Sequence, residues 1–258
     1  MFPLWVYQSK EVGIGDFVCL LPTLQSAAVI FQRPIPVFFD HSELAEVFAE
    51  CSFIERLQQK PPNNPWFSTR VFKNLRRKST DNNYYCAHYT ILGNENISPP
   101  QIGTIPPSIL GRSNMVALIH GRGPTGQYKF NKDLESTTRQ YWIDSIIRKG
   151  YTPVLLGDET NRSMFWSKND LNGCIDLLGK TKLIETLSVL NECKFFMSND
   201  TALYHFSAAM EKKGLVLWRD THPNMFSNPF DKKRIHHYFN EDVTMYPSVI
   251  DDYLLGIS

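Results

Sequence analysis

Short apolar runs alternate with segments of helical length along this chain, and the alternation restarts near its middle. Trp5-Val6-Tyr7 reads as a first strand, followed by a glycine-bearing turn, Val12 to Asp16, and a mostly apolar helical run to about Phe31. Pro22 is expected to begin that helix proper or to kink it. Ile35 to Phe39 reads as a second strand ended by Asp40, and Ser42 to Ala49 as a short helix with Ser42 in capping position. Residues from about Gln58 to Thr80 are irregular and basic, and Tyr84 to Tyr89 reads as a further strand. Such a βαβα start predicts parallel pairing with right-handed crossovers.

Ser98 to Asn114, SPPQIGTIPPSILGRSN, is rich in proline and glycine and reads as a linker. After it come strand Met115 to Ile119, loop His120 to Lys129, helix Ser136 to Lys149, strand Thr152 to Leu156 and helix Glu159 to Lys168. A short strand at Ile175 to Leu178 precedes a helix capped by Thr181, with Leu183, Ile184, Leu187 and Leu190 on one face. Phe195-Phe196-Met197 and Leu215 to Trp218 are the remaining clear strands, and Val249 to Leu255 reads as a closing helix. The prediction is an α/β chain of two units, 1–110 and 111–258.

Composition narrows the class without choosing a function. At 258 residues, 42% hydrophobic and 21% charged, the chain is long enough for two α/β units with real cores. Its net charge of +1 gives no global pull toward nucleic acid or anionic membrane. The five cysteines form no C-x-x-C pair, which argues against a disulfide framework or a zinc site and for a reducing cytoplasm. No apolar run is read as approaching the roughly 20 residues of a membrane span, and the N-terminus lacks the pattern of a signal peptide.

Chemistry concentrates at a few places. Lys194 to Asp220 reads as strand, polar turn, helix, strand, with Thr201 capping a helix that carries Ala202, Phe206 and Ala209 on one side. The start of such a helix, at the carboxyl end of a strand, is where an open α/β sheet holds phosphate. An ordinary capped helix gives the same pattern. Gly121, Gly123 and Gly126 formally match G-x-G-x-x-G, but no helix starts at the third glycine and the acidic residue required about 20 positions on, at the end of the next strand, is missing, so a dehydrogenase fingerprint fails on context. The loop still brings flexible backbone beside Arg122 and Lys129, two cations suited to a diphosphate. Asp16 is either a helix N-cap or a carboxylate facing a cleft and able to take a proton; one residue can do both. Arg56, Lys60, Arg70, Lys73, Arg76, Arg77 and Lys78, interleaved with Trp66, Phe67 and Phe72, form the one concentrated basic stretch. It reads as a solvated loop or as a polyanion site. No spacing of His, Cys, Asp or Glu suggests a metal site, and no G-x-S-x-G elbow signposts a serine hydrolase.

Four segments together resemble glycosyltransferase family 9, the heptosyltransferase-like enzymes of GT-B fold: GIGDFVCLLPTLQSA (13–27), IHGRGPTGQYKF (119–130), DLLGKTKLIETLSVLNECKFFMSNDTALYHFSAAM (176–210) and LWRDTHPNMFSNP (217–229). The resemblance implies two Rossmann-like domains facing a cleft, an acceptor-side domain over 1–110 and a nucleotide-sugar domain over 111–258. By motif it places Asp16 at the general base, Lys129 at the donor diphosphate, Lys180 and Thr181 near the donor ribose, and Asp200-Thr201 at the phosphates, with Arg122, Ala202 and His205 among the donor residues. Where the family has Asp-Thr-Gly this chain has Asp-Thr-Ala, so Ala202 is expected to limit how closely phosphate approaches the turn.

The expected activity is metal-independent, inverting transfer from a nucleotide-diphosphate sugar, with no cofactor. The expected acceptor is a polyanion, a phosphorylated saccharide or lipid-linked saccharide, contacted by Arg70, Lys73, Arg76, Arg77 and Lys78. Two alternatives stand beside it: a hydroxylated base in DNA as acceptor, and a non-catalytic nucleotide-binding module. The expected location is cytoplasmic.

Overall fold

The computed structural model describes residues 5–65, 67–69, 99–108, 110–121, 134–165, 171–219, 221–231, 233–239 and 246–256. Among these the chain forms two parallel sheets. The first contains β1 (Val6–Gln8), β2 (Ile35–Phe39), β3 (Ile54–Arg56) and β4 (Phe67–Ser68) in the order β3-β2-β1-β4. The second contains β5 (Met115–Ile119), β6 (Thr152–Leu156), β7 (Ile175–Asp176), β8 (Phe195–Ser198), β9 (Gly214–Trp218) and β10 (Ile235–Phe239) in the order β10-β9-β8-β5-β6-β7. Every pairing is parallel, with Val6 opposite Val37 in the first sheet and, in the second, Val116 of β5 opposite Pro153 of β6 on one side and Phe195 of β8 on the other. Strand order reverses between β1 and β4 and again between β5 and β8. Those two crevices are where a doubly wound sheet receives ligands.

Helices α1 (Ile14–Phe31) and α2 (Ser42–Val47) follow β1 and β2. Helices α3 (Ser136–Arg148), α4 (Glu159–Phe165), α5 (Leu183–Glu192) and α6 (Ala202–Ala209) follow β5, β6, β7 and β8; α7 (Pro223–Phe226) and α8 (Tyr246–Gly256) complete the described helices. Strands β5, β8 and β9 are buried on both faces, as their unbroken apolar sequences require. On one side of the second sheet, α3 and α8 cover Val116, Leu118, Leu155 and Leu217 with Trp142, Ile146, Ile250 and Leu254. On the other side the core does not stop at the sheet. A single apolar cluster runs from Val6, Phe17 and Phe48 of the first half to Leu187, Leu190 and Phe206 of the second. Within it α1 packs on α6, α2 packs on α5, and the Phe48 and Phe206 rings stack with centroids 6.3 Å apart.

Several local expectations change. Helix α1 does not begin at Pro22: it runs from Ile14 through the proline, which has no N–H to offer the Val18 carbonyl one turn earlier. Asp16 is not its cap; Gly13 occupies that position and Asp16 lies in the first turn. Likewise His41 precedes Ser42 as cap of α2, and Lys182 precedes α5, with its N–H donated to the Glu185 carboxylate at 2.8 Å. Strands β3 and β4 are not resolved by the sequence pattern, and the strand expected at Tyr84 to Tyr89 lies outside the described residues. The reading that no apolar run nears a membrane span also needs correction. Among the described residues α1, 18 residues at mean hydropathy 1.7, is long and apolar enough, but 61% of it is buried inside the protein, as a core helix is. Cys19, Cys51, Cys174 and Cys193 are all free thiols.

Candidate active site

The apolar strand β8 ends in Ser198-Asn199-Asp200-Thr201 at the β5/β8 crevice. Thr201 is the expected N-cap of α6: its backbone is extended and its Oγ1 accepts the Tyr204 N–H at 3.3 Å. The cap satisfies one N–H of the first turn, and the partial positive end of the helix lies at the carboxyl end of β8. Asn199 ties the crevice together. Its Oδ1 accepts the Gly121 N–H at 3.3 Å and its Nδ2 donates to the Gly121 carbonyl at 3.2 Å. Gly121 also lies close against the Asn161 side chain, whose amide would be 2.8 Å from a Cβ at this position.

His120, one residue earlier, is buried and accepts the Leu134 N–H on Nε2 at 2.9 Å. Burial, reinforced by the Arg139 charge, pushes its pKa down to about 3, so the ring is neutral at ordinary pH. Together His120 and Asn199 fasten both ends of the segment between Gly121 and Leu134, which carries the diphosphate cations expected from sequence. Arg122 and Lys129 themselves lie outside the described residues, as do Arg70, Lys73, Arg76, Arg77 and Lys78.

The start of α1 meets the start of α6 across the junction of the halves. A Cβ on Gly15 would lie 2.9 Å from His205 Cδ2 and 3.0 Å from Ala202 Cα, so the two first turns touch through a residue without a side chain. Asp16 follows directly in that turn, where the helix dipole favours its negative charge. The structure therefore brings Asp16 to the same junction as Asp200, Thr201, Ala202 and His205. Ala202 packs toward Gly15, and the His205 ring is buried between the helices, 3.6 Å from Cys19 Sγ and 3.7 Å from Asp200 Oδ1.

Lys180 and Thr181 sit apart, beyond the edge strand β7. Lys180 Nζ is 2.7 Å from Asp176 Oδ2, a carboxylate that it shares with Arg162, and Thr181 Oγ1 is 2.7 Å from Thr186 Oγ1. The turn before them depends on Gly179, at φ +65° and close against Glu159.

A buried polar network that sequence did not suggest holds α6 from its other side. Tyr204 donates to Asp231 Oδ2 at 2.9 Å and accepts the Asn228 N–H at 2.8 Å. His237 Nε2 lies 2.9 Å from Asp231 Oδ1, and Trp218 donates to His237 Nδ1 at 3.0 Å. Burial and the Asp231 charge hold the Tyr204 hydroxyl well above its ordinary range, so it serves as a fixed donor. Asn199, Cys19 and this network were missed because their partners are remote in sequence. The polar Asn199 at the end of an apolar strand was the only local sign.

Residues 143–245 match the family model for glycosyltransferase family 9 (heptosyltransferase). A lipooligosaccharide heptosyltransferase 2 from Haemophilus ducreyi is 29% identical over 98 residues, which are 35% of this chain; the match spans 28% of that protein's length. Among solved structures, a glycosyltransferase family 9 protein from Veillonella parvula superposes with TM-score 0.66 at 13% identity, covering 95% of this chain and 87% of that one. The Escherichia coli ADP-heptose LPS heptosyltransferase II gives TM-score 0.66 at 13% identity over 98% and 99%. The iron-containing dodecameric heptosyltransferase TibC from enterotoxigenic Escherichia coli gives 0.65 at 15% over 93% and 63%. The fold is GT-B, and the C-terminal half of the chain resembles glycosyltransferase family 9 in sequence as the whole does in architecture.

Proposed function

We propose that this chain is an inverting glycosyltransferase that moves a sugar from a nucleotide-diphosphate donor to an acceptor hydroxyl. The observation that supports the reading is the junction of α1 and α6, where Gly15, the residue before Asp16, lies against Ala202 and His205 at the start of a helix suited to phosphate. In this reading Asp16 removes the proton from the acceptor hydroxyl as its oxygen attacks the anomeric carbon, and the bond from that carbon to the phosphate oxygen breaks. The leaving diphosphate is stabilised by the N-terminus of α6 and by the loop fastened at Gly121, which carries Arg122 and Lys129. A single displacement inverts configuration and needs one base.

The donor belongs to the C-terminal half and the acceptor to the N-terminal half, with the basic stretch Arg70 to Lys78 as the contact for a phosphorylated saccharide or a lipid-linked saccharide. Catalysis is proposed to proceed without a metal. Among the described residues no three His, Cys, Asp or Glu side chains cluster as ligands, although the TibC relative was solved as an iron-containing protein. The test is transfer from a panel of nucleotide-diphosphate sugars, ADP-heptose included, to phosphorylated saccharide acceptors, with product configuration read by NMR. Inverted product and activity that survives EDTA are expected. Failure to bind or turn over any such donor would sink the assignment, and loss of activity on chelation would remove its metal-independent part.

A further inference from the structure

Two segments of the first half return to the carboxyl end of β1. Tyr7 lies in β1 opposite Phe38 of β2 and Ser68 of β4, on the half-buried face away from Val6 and Val37. Its hydroxyl passes the end of β2 and donates to Asp40 Oδ2, and the Ser9 side chain reaches the same hydroxyl. The ring stacks on Phe38 at 6.2 Å, with the Trp5 edge 6.4 Å away. Over this ring stands Lys60, from the connection between β3 and β4, its Nζ 4.4 Å from the centroid and within the reach of a cation–π contact. One residue past β1, Ser9 donates its N–H to Thr69 Oγ1 at 3.1 Å, and Thr69 is the residue before Arg70. The crevice between β1 and β4, where the order of the first sheet reverses, thus gathers Lys60 and the entry to the basic stretch.

The charges here are arranged so that the lysine stays available. Asp40 is engaged by the Tyr7 hydroxyl, Glu11 is the other carboxylate felt there, and among the described residues neither forms an ion pair with Lys60. The hydrogen bond to Asp40, helped by burial, raises the Tyr7 pKa above its ordinary value, so the phenol is a donor at neutral pH. An aromatic face attracts an ammonium while leaving it N–H donors for an anion.

We infer that Lys60 is a further acceptor-binding residue, taking a phosphate carried by the saccharide, and that Tyr7 and Asp40 are positioning residues: the ring seats the ammonium, and the hydroxyl keeps Asp40 from capturing it. The inference rests on the function proposed above, in which the first half receives a phosphorylated acceptor. Lys60 and Asp16 then serve one substrate from the same edge of the first sheet, since α1 follows directly on the carboxyl end of β1.

NMR of the intact chain labelled with 13Cε-lysine tests this without turnover. The Lys60 signal, assigned by its loss in Lys60→Arg, is expected upfield through the Tyr7 ring current, and back in the ordinary range in Tyr7→Leu. Glucose 6-phosphate is the probe and glucose its control. The phosphate ester should move the Lys60 signal saturably and glucose should not; no movement, or equal movement by both, overturns the inference. By calorimetry, Lys60→Gln and Tyr7→Phe are each expected to bind the probe about 3- to 10-fold more weakly, the size of a charge-assisted hydrogen bond at a partly exposed site, and Lys60→Arg to bind as wild type does. Because Tyr7→Phe acts by releasing Asp40, combining it with Asp40→Asn should recover wild-type affinity, which a simple loss of packing would not allow. Wild-type affinity in Lys60→Gln or Tyr7→Phe, or a double variant as weak as Tyr7→Phe, also overturns the inference. Sugar transfer by a chain whose Lys60 signal ignores the probe counts against this inference alone, and a responsive Lys60 in a chain that uses no nucleotide-sugar donor counts against the proposed function alone.

Discussion

At the scale of single residues, position within a helix separates two roles that Asp16 might have combined. Because Gly13 is the cap of α1 and Asp16 lies in its first turn, replacing the carboxylate by an amide removes charge without removing a capping group. Asp16→Asn is therefore expected to fold normally and to lower turnover roughly 10²- to 10⁴-fold with little change in donor affinity. Near-normal turnover would leave Asp16 a structural role alone. His120 carries a different, pH-linked prediction. Its pKa falls from the usual 6.5 to about 3 on folding, so between those values the unfolded chain binds a proton that the folded chain refuses. Stability is unaffected by this group above about pH 6.5 and declines as pH drops below it, by roughly 1.4 kcal/mol per unit. Urea unfolding at pH 7, 6 and 5 should show a shallower decline for His120→Gln than for wild type, and equal slopes would contradict the neutral buried ring.

At the scale of elements, the contact between the first turns of α1 and α6 depends on Gly15. Gly15→Ala would set a methyl 3.0 Å from backbone at Ala202 and 2.9 Å from the His205 ring, so the helices must part. Overpacking of this kind costs about 1–3 kcal/mol, and the same displacement should weaken donor binding and turnover together; unfolding midpoint and donor affinity unchanged from wild type would show that the junction yields freely. The elements themselves were unevenly legible. β2, β5 and β6 were readable to the residue because each is a continuous apolar run between turn residues. β3 and β4, at three and two residues, are too short to display a period. Caps slipped by a residue at α2 and α5 because Ser42 and Thr181 have the better capping chemistry, yet the chain enters the helix elsewhere. Asp200-Thr201 was legible as a local strand-to-helix signal. The proximity of Asp16 to it was not, since nothing in residues 13–27 states which helix α1 will pack against.

At the scale of the whole molecule, the continuous core alters what the two halves are able to do separately. The proline-rich segment suggested units joined by a linker, but Phe48 stacks on Phe206, and α5 and α6 bury their inner faces against α2 and α1. A fragment beginning near Gly111 would expose Leu187, Leu190 and Phe206, side chains whose burial is worth about 1.5–3 kcal/mol each. It is therefore expected to aggregate or to lose cooperative unfolding, even though it contains Asp200 and Thr201. The intact chain should unfold in a single calorimetric transition, and a nucleoside diphosphate bound by the second half should stabilise the first equally, because the two share that core. At a ligand concentration 100 times Kd the stabilisation is about 2.7 kcal/mol. Calorimetry with and without ligand, alongside the exposure of Cys51 in the first half to a thiol reagent, tests this. Two resolved transitions, or a ligand that protects the second half while Cys51 reacts at its unliganded midpoint, would show that the halves melt independently and that the shared apolar cluster does not couple them.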